Sequence, residues 1–234
     1  MSSFDDLRQS VLDANLALPR AGLVTLTWGN ASAIDRELGV FAIKPSGVPY
    51  EQLSAADIVV LDMTGEVVEG HRNPSTDTPT HLALYQAFDS IGGVVHTHST
   101  WATVWAQAQH EIPLFGTTHA DLCARPIPLT RALTEAEIED DYELHTGTVL
   151  IEAISASDPG QVPCALVRGH GPFVWGHSVG KAIEHAITLE EVAHTAYLTA
   201  MLAADAPSLD AAIRRKHHER KHGPHAYYGQ SQGR

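Results

Sequence analysis

The stretch GGVVHTHSTWATVWAQA, residues 92–108, decides how the chain is read. It opens on a glycine pair, continues through two β-branched residues into His96-Thr97-His98, and then changes period. From Thr100 to Ala108 the apolar residues recur at helical spacing, so the stretch predicts a strand over 92–98 with a helix behind it. Alternate residues of a strand share a face, so an H-x-H pair presents two imidazoles together. That suits two ligands of a divalent metal, and His170, flanked by glycines in a turn, is accessible as a third. Spacing alone leaves open the plainer reading, two half-buried strand histidines with ordinary hydrogen bonds.

Working outward, LVTLT (23–27) and VFAIK (40–44) read as strands, with Trp28-Gly29-Asn30 as a loop after the first. Residues 57–70 read as a hairpin turning at Thr64-Gly65. DTPTHLALYQAF (77–88) reads as a helix with Asp77 as N-cap and Pro79 in its first turn. Phe4, Leu7, Val11, Ala14 and Leu18 mark an N-terminal helix, capped by Ser2 or Ser3 and ended by Pro19 and Gly22. Two short strands flank the Gly-His-Gly turn within 162–176. Residues 178–203 form the longest helical pattern, with Ala182, Ile183, Ala186, Leu189, Ala193 and Leu198 on one side, and a last helix covers about 208–221. Paired strands mixed with helices indicate a mainly antiparallel sheet covered by helices, not a βαβ series. The expected organisation is one domain over 1–234.

Composition narrows the function classes. Fifteen Lys and Arg against 28 Asp and Glu give a net charge of −13, which argues against nucleic acid or an anionic membrane as partner. No apolar run approaches the roughly 20 residues of a membrane span. Two cysteines, Cys123 and Cys164, make no disulfide framework, so the cytoplasm is the expected compartment. Fifteen histidines are the surplus, and eight of them gather at 96–98, 117–121, 168–173 and 216–225. The run at 214–225 reads as a solvated helix face or a loose metal-binding tract.

Hydroxyls stand beside Pro or Gly in KPSG (44–47) and PSTD (74–77). Such turns hold phosphate oxygens, although turn chemistry and capping explain Ser75, Thr76 and Asp77 without a ligand. Asp121, in GTTHAD, and the Tyr227-Tyr228 pair are capable proton carriers that local pattern would not single out.

Taken together, LVTLTWGNASAIDRELGVFAIKPSGV, EGHRNPSTDTPTHLALYQAF, IGGVVHTHSTWATVWAQA, GTTHAD, HGPFVWG and KHGPHAYYGQ follow in the order of the class II aldolase/epimerase family of metal-dependent phospho-sugar enzymes, which the chain resembles. The resemblance runs from Leu7 to Gln230, with residues 152–163 loosely matched. It implies a three-layer α/β/α fold with a central, mostly antiparallel sheet, assembled as a homotetramer with sites at subunit interfaces. By the same resemblance His96, His98 and His170 match zinc ligands, with Asp77 the acidic residue near that metal. Zinc suits three histidines, and manganese or cobalt takes the same ligands. Ser46, Gly47, Ser75 and Thr76 match the phosphate cradle, with Gly29, Asn30 and Lys44 close to the substrate. Thr76 stands where the family places a second serine; its hydroxyl still donates. Asp121 and Tyr228 match a proton-transferring pair that reaches the metal from a neighbouring subunit.

Family aldolases carry a glutamate where this chain has Asp77, and that glutamate is their base. An aspartate followed by Thr-Pro-Thr resembles the epimerase branch. The implied activity interconverts L-ribulose 5-phosphate and D-xylulose 5-phosphate at C4, with a related L-xylulose 5-phosphate substrate equally compatible. The C4 hydrogen is not adjacent to the C2 carbonyl, so its removal gives no enolate. Breaking C3–C4 does, and the aldehyde fragment can turn and re-add. An aldolase that releases a ketose phosphate's fragments, or a non-catalytic metal or sugar-phosphate binder, are the rival readings.

Overall fold

In the computed structural model, which describes residues 4–154, 158–222 and 226–227, seven strands form one sheet in the order β4-β3-β2-β1-β5-β7-β6. The strands are β1 (Asn30–Asp35), β2 (Val40–Ile43), β3 (Val59–Asp62), β4 (Val67–Glu69), β5 (Gly93–His96), β6 (Cys164–Val167) and β7 (Gly171–Gly176). Every neighbouring pair is antiparallel. The helices are α1 (Asp5–Arg20), α2 (Thr78–Ala87), α3 (Thr100–Ala108), α4 (Thr117–Leu122), α5 (Glu135–Ile154), α6 (Val179–Leu202) and α7 (Ala211–His222).

The central strands bury both faces, which requires helices on each side. On one face Asn15 of α1 bonds the backbone of Ala31 in both directions, its Nδ2 donating to the carbonyl at 3.0 Å and its Oδ1 accepting from the amide at 2.9 Å. The same face meets α6. A Cβ added to Gly93 would lie 2.3 Å from the Cα of Val179, so the missing side chain is what lets α6 lie on β5. Ser32 alternates to the opposite face and meets His81 and Tyr85 of α2 at 2.7 Å each. There α2 packs on α5 so closely that a Cβ at Gly147 would stand 2.7 Å from that of Ala83. Helices on both faces of an antiparallel sheet match the expected three layers.

Several expectations need correction. LVTLT (23–27) forms no strand. Leu26 takes a positive φ of 54° and is exposed, and the chain enters the sheet only at Asn30, paired between β2 and β5. The strand expected over 92–98 ends at His96, and His98 lies beyond it, exposed. Ser2 and Ser3 lie outside the described residues; Phe4 is at the N-cap, and Pro19 sits inside the last turn of α1. Leu198 is half exposed on the outer side of α6, away from Ala182, Ile183, Ala186, Leu189 and Ala193. Two helices, α4 and α5, were not expected. The hairpin at Thr64-Gly65, α2, α3, the two strands about Gly-His-Gly, α6 and α7 fall where periodicity places them.

Candidate active site

The end of β5 carries His96 into a cavity of about 590 Å³ bounded by the start of β1, the segment after β2, the entry of α2, the β6–β7 turn and α5. The side chain of His96 is buried, and its Nδ1 donates to the Pro172 carbonyl at 3.0 Å. Its ring stacks on Phe173, with centroids 4.1 Å apart. Those two contacts fix the imidazole, and Nε2 is the nitrogen left for other work. His98 follows after the strand, and His170 stands on the β6–β7 turn, where Gly169 takes a positive φ of 73°. One nitrogen from each of these three rings lies within 4.8 Å of the others. His98 Nε2 and His170 Nε2 face each other at 3.1 Å.

Burial lowers the His98 imidazole and takes His170 down to about 4, so both rings are neutral lone-pair donors near neutral pH. Asp77 occupies the N-cap position of α2 as expected, but its side chain makes no capping bond. Its carboxylate accepts from Asn30 Nδ2 at 2.6 Å instead. Burial would raise that carboxyl, but His96, His81 and the Asn30 amide together hold it below its ordinary value. Three converging imidazoles beside an ionised carboxylate are a donor set that fits a divalent transition metal and could hold one.

Across the cavity two loops are clasped together. Ser46 N donates to the Asn73 carbonyl at 3.0 Å, Ser75 N donates to the Lys44 carbonyl at 3.1 Å, and Pro45 pairs with Pro74. The clasp brings Ser46, Gly47, Ser75 and Thr76 to one wall, with Lys44 beside them. Gly47 has a positive φ of 68°, which a residue with a Cβ adopts at a cost. Gly29 (φ 90°) closes the wall where a Cβ would meet the His96 carbonyl at 2.9 Å. Asn30 Oδ1 is buried and has no hydrogen-bond partner among the described residues. Lys44 is 2% exposed, and burial lowers its ammonium to about 8.

The structure thus gathers Gly29, Asn30, Lys44, Ser46, Gly47, Ser75, Thr76, Asp77, His96, His98 and His170 around one cavity. It does not bring Asp121 there. Asp121 lies on α4, where its carboxylate accepts from the Arg220 guanidinium and pairs with His217 at 3.1 Å, while His222 Nε2 donates to its carbonyl. His217, Arg220 and His222 thus clamp α7 onto α4, while α7 buries none of its residues and remains largely a solvated face. Tyr228 lies outside the described residues. Trp28, Tyr142 and Glu143 line the cavity and were missed. Tyr142 and Glu143 sit on α5, whose acidic run lacks an apolar stripe; the available signal was Asp141, an N-cap type of residue three positions before Leu144, whose N–H it accepts at 3.0 Å.

The sequence pattern of the Class II Aldolase and Adducin N-terminal domain matches residues 9–197. The L-ribulose-5-phosphate 4-epimerase UlaF of Salmonella paratyphi A is 54% identical over 224 residues, covering 96% of this chain and 98% of that protein. The same identity and coverage hold for UlaF of Salmonella typhi. Among solved structures, an L-fuculose 1-phosphate aldolase superposes with a TM-score of 0.78 at 25% identity, covering 94% of this chain and 97% of its own. The L-fuculose-1-phosphate aldolase of Thermus thermophilus shares the fold, with a TM-score of 0.65 at 22% identity over 87% of this chain and 98% of its own.

Proposed function

The chain belongs to the class II aldolase family, and from that premise we propose that it is a zinc-dependent epimerase interconverting L-ribulose 5-phosphate and D-xylulose 5-phosphate at C4. One observation carries the reading. The histidine cluster and the clasped hydroxyl loops share a cavity, and the carboxylate between them is an aspartate tied to Asn30 at 2.6 Å. The bond and the neighbouring imidazoles lower the basicity of that carboxylate, which favours epimerisation over release of fragments. The name and 54% identity of the Salmonella relative support the same substrate.

His96, His98 and His170 would hold the metal, which would supply Lewis-acid chemistry for the ketone. Ser46, Ser75 and Thr76 donate to the phosphate and keep the aldehyde fragment in the cavity while it turns. Asn30 orients Asp77 through Nδ2. Asp121 and Tyr228, contributed by a neighbouring copy in a homotetramer, exchange the C4 hydroxyl proton on the two faces; the distance of Asp121 from its own chain's cavity agrees with that arrangement. Two buried free thiols, Cys123 and Cys164, suit a reducing cytoplasm. NMR of the product formed from L-ribulose 5-phosphate by metal-analysed protein tests the reading. D-xylulose 5-phosphate is expected, and accumulation of free glycolaldehyde phosphate would replace the epimerase by an aldolase.

A further inference from the structure

Helix α5 is interrupted at Asp141, whose φ of −148° and ψ of 90° are not helical. The break frees the N–H groups that open the second half, and Asp141 Oδ1 accepts one of them, that of Leu144, at 3.0 Å. Thr80 Oγ1 of α2 donates to the Glu143 carbonyl at 2.5 Å, and Thr146 Oγ1 donates to the Tyr142 carbonyl at 2.8 Å. The close approach of α2 that Gly147 permits sets the second half of α5 against the cavity. The result is a phenol held over the β6–β7 turn. Tyr142 Oη lies 3.1 Å from His170 Nδ1.

That contact matters because of where His170 stands. It sits between two glycines on a turn, so the turn itself supplies little to orient its ring. Its ring nitrogens meet two groups: Tyr142 on Nδ1 and His98 on Nε2. A ring that gives its Nε2 lone pair to a metal carries its proton on Nδ1, and that N–H needs an acceptor. For His96 the acceptor is the Pro172 carbonyl. For His170 it is the phenol.

We propose that Tyr142 is a positioning residue of the metal centre, its oxygen accepting the His170 Nδ1–H and thereby fixing the tautomer and ring angle that present Nε2 to the ion. The proposal rests on the reading of His96, His98 and His170 as metal ligands. It assigns a function to the break in α5 at Asp141.

The test is a zinc affinity, measured by competition with a chromophoric chelator on metal-stripped full-length protein. Tyr142→Phe keeps the ring and removes the acceptor, so zinc affinity should fall by about 10- to 100-fold, the range typical of lost outer-shell partners. His98→Ala is the reference. If His98→Ala loses zinc while Tyr142→Phe binds it like the wild type, the positioning role is wrong and the ligand set stands. If neither substitution changes zinc affinity, the ligand reading itself fails. Should Tyr142→Phe fold poorly, the zinc-loaded wild type still decides. A slowly exchanging His170 Nδ1–H in its nitrogen-15 spectrum is expected, and a His170 protonated on Nε2 overturns the proposal.

Discussion

Asn30 Nδ2 donates to Asp77 Oδ2 at 2.6 Å, joining the first residue of β1 to the mouth of α2 across 47 positions of sequence. The same amide reaches Ser75 Oγ at 3.0 Å, so one side chain ties the carboxylate to the hydroxyl wall. A hydrogen bond to a charged group contributes about 1.5–3 kcal/mol. Asn30→Ala should therefore lower kcat/KM for L-ribulose 5-phosphate by about 10- to 100-fold. Asp77→Glu carries the carboxylate one methylene past that amide; epimerisation should fall while free aldehyde appears. An aldehyde-trapping assay beside the epimerase assay checks both, and Asp77→Glu with undiminished epimerisation and no aldehyde would remove Asp77 as the discriminating position.

The metal assignment predicts that occupancy and turnover fall together. Replacing His98 or His170 by Ala removes one of three clustered imidazole nitrogens. Metal analysis after dialysis should show less than one ion per chain, with turnover lost in proportion. Full metal and activity in either variant would mean that the cluster is structural.

Lys44 supplies a pH dependence. Burial lowers its ammonium to about 8, so the free enzyme holds the positive charge below that pH and loses it above. A dianionic phosphate is bound better by the charged form. The kcat/KM profile should thus fall on an alkaline limb near pH 8, and the kcat limb should lie higher because bound phosphate favours the ammonium. Lys44→Met should lower kcat/KM and abolish that limb; an unchanged limb in the variant would exclude Lys44 as its source.

How the site was read from sequence differs from how the fold was read. The histidines, the clasped turns and Asp77 were legible because each lies in a short motif at a strand end or helix entry, where the backbone fixes side-chain direction. LVTLT misled because its β-branched alternation is what a strand shows, yet β1 begins at Asn30. The slot between β2 and β5 is taken by the weaker NASAID, registered by pairs such as Asn30 with His96 and Ser32 with Ile43. Tertiary pairing overrides propensity there, and Gly29 is needed where the chain passes the His96 carbonyl. Tyr142 was illegible for the opposite reason. Its helix is acidic and broken, and only contacts with α2 and His170, 28 to 63 residues away, give it a place.

Gly93 tests the packing that holds His96 in position. Its added Cβ would lie 2.3 Å from Val179 Cα and 2.4 Å from Val179 N, both backbone atoms that cannot swing aside. Gly93→Ala should cost at least the roughly 1–3 kcal/mol typical of overpacking. For a chain of this size, that is a fall in Tm of several degrees. Thermal unfolding of the variant beside Gly116→Ala, where an added Cβ meets nothing within 4 Å, measures it. Equal melting of the two would show that α6 yields.

The last prediction concerns the shared site. Asp121 is bonded to Arg220 of α7 and does not line its own chain's cavity, so the proton-transfer role proposed for it requires a second copy. Tyr228, a few residues beyond α7, is expected to reach the same neighbour. His96→Ala lacks a metal ligand and Tyr228→Phe lacks a proton carrier, so each should be nearly inactive alone. If the two are unfolded, mixed equally and refolded, a site is whole when its cavity comes from the Tyr228→Phe chain and its tail from the His96→Ala chain. In a head-to-tail ring, random assembly makes this about one site in four. Activity should recover to about that fraction of the wild type, while either variant refolded alone stays inactive. Mixed oligomers, verified by mass spectrometry, that restore nothing would place both groups in one subunit and remove the neighbouring copy from the mechanism.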